Sequence, residues 1–135
     1  MAFELLSHEE GDRIKVTGMT RAGLLESALK GTFAAAGVRT SEEAAEVTRP
    51  FALRAADFDA LLAAFLDQAL SLSAERHEFY QAVTFDLITV MEAKGAYVGK
   101  PVEGFSDPLK SVKREGLKAE RNAEGVWEAE IAFER

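Results

Sequence analysis

VWEAEIAFER, residues 126–135, alternates its side chains: Trp127, Ala129, Ile131 and Phe133 fall on one side, Glu128, Glu130 and Glu134 on the other. A period of two with one apolar and one charged face predicts a half-buried β-strand of an antiparallel sheet. NAEG, residues 122–125, carries turn chemistry and leads the chain into it. At the other end, residues 2–6 alternate weakly, and residues 13–18 place Ile14 and Val16 opposite Arg13, Lys15 and Thr17. Both stretches read as strands, with residues 7–13 as the connection of a hairpin.

Two helices lie between these ends. Thr20 can accept a backbone N–H at a helix start, and Leu24, Leu25, Ala28, Leu29, Thr32, Phe33 and Ala36 recur at helical spacing until Gly37. Their contact face is narrow and rich in alanine. Residues 38–46 are acidic and read as a loop; residues 47–54 read as a strand that Pro50 confines to a sheet edge. Asp57 is a good cap for a second helix, whose wide stripe of Phe58, Leu61, Leu62, Phe65, Leu66, Ala69 and Leu70 predicts the central buried helix. Beyond His77, the apolar residues Val83, Phe85, Leu87, Ile88 and Val90 suggest two strands or one bulged strand. Gly99, Pro101, Gly104 and Pro108 suggest a loop. The expected fold class is α+β, a mostly antiparallel sheet packed against two main helices, in a single domain over residues 1–135.

The totals restrict function. The chain has 135 residues, 47% of them hydrophobic, enough for a real core. A net charge of -7 argues against a protein devoted to coating phosphate backbones, so nucleic acid is expected only indirectly, through a partner. The absence of cysteine excludes disulfides, thiolate metal sites and cysteine nucleophiles. MAFELLSHEE has no basic leader, and no apolar run approaches the roughly eighteen residues of a membrane span, so the expected location is cytoplasmic, with no membrane partner. Neither GxGxxG nor GxxxxGK[ST] occurs. No serine lies in a nucleophile elbow, and only His8 and His77 offer imidazole bases, which leaves a hydrolytic triad little support.

Carboxylates are the remaining candidates. His8, Glu9, Glu10 and Asp12 crowd the first connection, and hard cations such as calcium take several oxygen ligands from loops and strand ends. If the last strand pairs beside the first hairpin, Glu134 meets Asp12 and His8 in a small metal pocket. The plainer reading is that a chain with 23 acidic residues places acids in any polar loop and on any wet strand face. His77, after the second helix, suits a structural role near the helix C-terminus. Lys110, Lys113, Arg114, Lys118 and Arg121 outweigh Glu115 and Glu120 in the one locally basic run, which either faces an anionic partner or is the solvated face of a hairpin.

The order of blocks adds to these residues. F-E-L-L-S-H, then V-T-G-M-T before a helix, A-D-F-D-A-L-L-A-A-F-L-D-Q-A-L, A-Y-V-G-K-P, L-K-S-V-K-R-E-G-L-K and V-W-E-A-E-I-A-F-E-R together resemble the archease family from end to end. The resemblance implies an archease-like α+β fold. It also implies an accessory protein, itself not an enzyme, that assists guanylylation and turnover of a tRNA-splicing RNA ligase. The family histidine opens an H-T-A-D stretch whose aspartate is a metal ligand, and aligned on His8 and Gly18 that position is Gly11 here. Asp12 stands one residue later. The family histidine of a K-A-V-T-Y-H-G-L-like stretch becomes Glu115, and the terminal aspartate becomes Glu134. The expected metal ligands are therefore Asp12, Glu134, His8 and Glu115, holding calcium or another hard divalent cation in an altered site, with the RNA ligase as protein partner. Two other readings stand beside this one: a divergent protein-interaction module of the same fold that has lost ligase activation, and a small metal-dependent hydrolase built on Glu115, His8 and Glu134.

Overall fold

The computed structural model describes residues 2–5, 12–39 and 44–134. In chain order the elements are β1 (Ala2–Leu5), β2 (Asp12–Gly18), α1 (Arg21–Ala36), β3 (Val38–Arg39), β4 (Val47–Arg54), α2 (Phe58–Arg76), β5 (Glu78–Ile88), β6 (Glu92–Pro101), β7 (Gly104–Phe105), β8 (Ser111–Val112), β9 (Glu120–Arg121) and β10 (Trp127–Glu134). The fold is α+β, and every strand pair is antiparallel. Both helix starts are capped as their sequences require: the Thr20 side chain accepts from the Gly23 N–H and that of Asp57 from the Ala60 N–H. The left-handed residues Gly37 and His77 end them, the latter at φ 56°.

The strands form two main sheets with the helices between them. In the first sheet, β10 lies between β2 and the short strands β8 and β9, with β1 at the edge beyond β2. Ile14 and Val16 of β2 and Ala129, Ile131 and Phe133 of β10 are buried. In the second, β6 lies between β4 and β5. The edge position of β4 suits Pro50, which has no N–H to donate to a ladder. A short β3–β7 pair stands apart.

On α1, Gly31 and Phe33 lie about 200° apart around the helix axis. A Cβ on Gly31 would meet Ile14 and Phe3 of the first sheet, whereas the Phe33 ring meets Tyr80 of the second edge to face at 5.8 Å. On α2, Phe65 meets Phe51 edge to face and packs at a tilt against Phe85 and Tyr97 of the second sheet, and Asp67 reaches the other way to β8. Each helix thus has a sheet on either side. Leu24, Leu25, Leu29, Leu61, Leu62 and Leu66 are fully buried in this layer, each worth about 1.5–3 kcal/mol of transfer from water.

Three expectations change. Burial is as extensive on α1 as on α2, so α2 is not the one central helix. The small residues that make α1 look narrow let strands approach it closely. Gly99 and Pro101 belong to the end of β6 rather than to a loop. β5 is a single bulged strand, with shifts between Tyr80 and Ala82 and between Phe85 and Leu87, and β6 answers with glycine: a Cβ on Gly99 would collide with the Phe79 carbonyl, and one on Gly95 with that of Thr84. Finally, the loop expected at residues 38–46 opens with the two residues of β3. Its residues 40–43, like the connection at residues 6–11 and Arg135, lie outside the described residues.

One polar cluster ties the second sheet to the end of α2. Glu78 is 4% exposed and accepts from Arg49 Nε at 2.8 Å and from the Tyr80 hydroxyl at 2.9 Å, while the Ser73 hydroxyl of α2 donates to the Glu78 carbonyl. The Arg49 hydrogen bond holds the Glu78 carboxyl below the usual carboxylate range, outweighing burial. Burial pushes the Tyr80 phenol up, aided by Glu78, and does the same to Tyr97, whose hydroxyl donates to the Phe65 carbonyl at 2.6 Å. Because the folded Glu78 titrates below its ordinary 4.5, its stabilisation is complete above pH 4.5 and is lost as the pH falls below that through the folded pKa. Glu78→Gln should therefore cost about 1–2 kcal/mol at neutral pH by exchanging charge-assisted for neutral hydrogen bonds. In chemical denaturation, the gap to the natural protein should close on acidification below pH 4.5. A gap that stays constant would remove the charge from the account.

Candidate functional site

The outer face of the first sheet carries the candidate residues. Alternation along β10 turns Ile131 and Phe133 to the helices, so Glu130 and Glu134 belong to the wet face, and both are exposed. On β2 the same face receives Arg13 and Lys15, both exposed. Pairing of β10 with β2 sets Ala132 opposite Arg13, Glu130 opposite Lys15 and Phe133 opposite Asp12. The C-terminal strand therefore ends beside the start of β2, as the metal-pocket reading requires of the backbone. Asp12 occupies the register position of Phe133, one step from Glu134 along the strand and on the opposite face of the sheet. His8 and Gly11 lie outside the described residues.

Glu134 is tied to β8. Its carbonyl accepts from the Lys110 N–H at 2.8 Å, and its Oε2 from the Ser111 hydroxyl at 3.2 Å. Glu115 sits elsewhere, on the turn after β8, where Leu117 N–H donates to the Arg114 carbonyl at 3.2 Å. It lines a hollow of about 190 Å³ together with Arg13, Lys113 and Glu130. Two carboxylates and two fixed cations face this one space. That donor set does not suit a divalent ion, because the guanidinium and ammonium already balance the acids that would attract it. Glu134 is not part of the lining. Among the described residues, no three histidine, aspartate or glutamate side chains come together in a way that could hold a metal ion. The hydrolase reading, which needs Glu115 and Glu134 at one place, finds them in separate surroundings.

The segment that carries Glu115 is held from behind by α2. Asp67 Oδ1 accepts from the Val112 N–H at 2.8 Å, and Asp59 Oδ1 from the Ala119 N–H at 2.8 Å. Asp67 Oδ2 also lies 3.7 Å from the Arg114 guanidinium. These acids are eight residues apart, so they lie along one side of the helix, within about 80° of each other. Two carboxylates thus replace the backbone partners that this irregular edge lacks. Lys118 donates to Glu120 at 3.0 Å, which raises the ammonium pKa.

Sequence reasoning placed Glu134 on the correct face and missed Arg13, Glu130, Asp59 and Asp67. Alternation in DRIKVTG and VWEAEIAFER marks the first two as outward. Their meeting depends on a pairing between the two ends of the chain, which no local pattern specifies. Asp59 and Asp67 look like ordinary helix acids until the 112–119 segment lies over them.

With this geometry in view, comparison with known proteins decides the family. The sequence matches the Archease protein family (MTH1598/TM1083) over residues 3–134. The chain belongs to the archease family. Two solved structures share the archease fold with it. The solution structure of Methanobacterium thermoautotrophicum protein 1598 has a TM-score of 0.69 at 19% identity, covering 99% of each chain. The crystal structure from Thermotoga maritima, described as an archease and "possible chaperone", has a TM-score of 0.66 at 11% identity, covering 98% of this chain and 96% of its own. No curated protein matches the sequence. Among the described residues, no helix of this archease-family chain is long and apolar enough to cross a membrane.

The link between α2 and the Glu115 segment is directly testable. Asp67→Ala removes one acceptor and one anion, so amide hydrogen exchange at Val112 should accelerate while Ala119, held by Asp59, stays protected. The expected loss of stability is about 1–2 kcal/mol. Unchanged exchange at Val112 would mean that the carboxylate does not hold the segment.

Proposed function

We propose that this archease-family protein is an accessory factor that assists guanylylation and turnover of a tRNA-splicing RNA ligase and performs no catalysis itself. Family membership over residues 3–134 carries the reading. The description of the Thermotoga protein as a possible chaperone agrees with an accessory role. The chemistry available to such a factor is carboxylate oxygen presented at the end of β10. Glu134 would act there with Asp12 and His8 to hold calcium or another hard divalent cation, which supplies fixed positive charge for phosphate oxygens; because Asp12 pairs with Phe133, its position would have to leave the strand to reach the face of Glu134. Glu115 is set apart by Arg13 and Lys113, so its part in the reading is electrostatic. The ligase is the partner, nucleic acid is met through it, and the place of work is the cytoplasm.

A divergent interaction module of the same fold is the second reading. Gly11 at the position of the family aspartate, together with the charge-balanced hollow at Glu115, favours it.

Mixing the protein with the RNA ligase of its own organism, GTP and a divalent metal separates the two. The accessory reading predicts faster ligase guanylylation and more turnovers, with both gains lost in Glu134→Ala. It also predicts that heat of calcium or manganese binding, followed by calorimetry, disappears in that variant. No gain in guanylylation by the natural protein would leave the interaction module.

A further inference from the structure

The basic run at residues 109–121 is unused by the accessory reading. It holds Lys110, Lys113, Arg114, Lys118 and Arg121 against Glu115 and Glu120, in a chain whose net charge is -7. All five cations are exposed.

The fold lays this run along one free edge. Lys110 donates its N–H to the Glu134 carbonyl, Lys113 to that of Ala132, and Arg121 pairs with Trp127. Lys110, Lys113 and Arg121 therefore border β10 along its length, about 25 Å for eight residues, while on the turn between them Arg114 lies 3.7 Å from Asp67 and Lys118 donates to Glu120 at 3.0 Å. From behind, the Asp67 and Asp59 carboxylates fix the run through the Val112 and Ala119 N–H groups, and Leu117 packs against the core. The backbone is thus ordered before any ligand arrives, which lowers the entropic cost of binding. In the adjoining hollow Arg13 and Lys113 are balanced by Glu115 and Glu130, so the hollow adds no net charge to the edge. An extended row of cations fits a linear polyanion, whose charges also recur along a line.

We infer that the 109–121 edge binds the phosphate backbone of a single-stranded nucleic acid. The contacts are ionic and carry no base readout. The acidic remainder of the chain repels the same ligand, which confines it to this edge and keeps the affinity low and strongly salt-dependent. This inference does not rest on the accessory role, and it replaces nucleic-acid contact through the ligase alone with direct contact at this edge.

The test uses the full chain and a fluorescein-labelled single-stranded RNA of about 15 nucleotides, followed by anisotropy from about 50 to about 200 mM salt. With three phosphates engaged, log K should fall against log salt with a slope near -2. Lys110→Gln combined with Lys113→Gln should weaken binding at least about tenfold and bring the slope to about -0.7, while Lys94→Gln on β6 leaves both unchanged. Thermal unfolding of the double variant should match the natural protein, because both side chains are exposed. Absence of binding at low salt, or binding that the double variant leaves intact, overturns the inference. Loss of ligase association in the double variant, with no RNA bound by the natural protein, also overturns it and assigns the edge to an acidic protein surface. No ligase is present in the anisotropy assay, so failure here is distinct from failure of the accessory reading.

Discussion

The pairing of β10 with β2 is the constraint on which the first sheet depends. It joins the last regular element of the chain to one of the first, aligning Ile131 with Ile14 and Ala129 with Val16 so that both rows face α1. β10 is an interior strand, with β2 on one side and β8 and β9 on the other. A slip of one residue would turn Ile131 and Phe133 to water and Glu130 and Glu134 to the core. The acidic face, the hollow at Glu115 and the basic edge all take their positions from this register.

The helix layer transmits that placement. α1 uses Ala28 and Gly31 to sit closely between sheets, and α2 uses Phe65 on one side and Asp67 on the other. Charged groups serve structure at two places in this layer. Glu78 fastens β5 to Arg49 of β4, and Asp59 and Asp67 fasten the 112–119 segment to α2. Only the second of these groups borders the candidate site. It orders the site's backbone and leaves Lys110, Lys113 and Arg121 exposed along the edge.

Much of this was legible where a pattern is local. The alternation of Trp127 to Phe133, the caps Thr20 and Asp57, the stop at Gly37 and the edge position signalled by Pro50 each follow from a few neighbouring residues. The ordered motif blocks also pointed to the archease family that the family match then established. Long-range features were not legible. Burial of Glu78 depends on Arg49, 29 residues away, and the company of Glu115 depends on Arg13 at the far end of the chain. Small residues misled in one respect: the alanine-rich face of α1 reads as narrow, yet at Gly31 the helix comes close to Ile14 and Phe3 of the first sheet. Of the expected ligands, Glu134 and Glu115 lie apart, for the step from β8 into the turn carries Glu115 toward Glu130 and away from the strand end.

The register of β10 against β2 can be measured by cross-linking, since the chain has no cysteine of its own. Arg13→Cys with Ala132→Cys places two thiols at directly opposed positions, where Cβ atoms lie about 4.5–5.5 Å apart and small backbone adjustments allow a disulfide. Mild oxidation should convert this variant to an intramolecular disulfide, while Lys15→Cys with Ala132→Cys, a diagonal pair about 7–8 Å apart, should resist. Faster closure of the Lys15 pair than of the Arg13 pair would show a shifted register and contradict the placement of Glu134 beside β2.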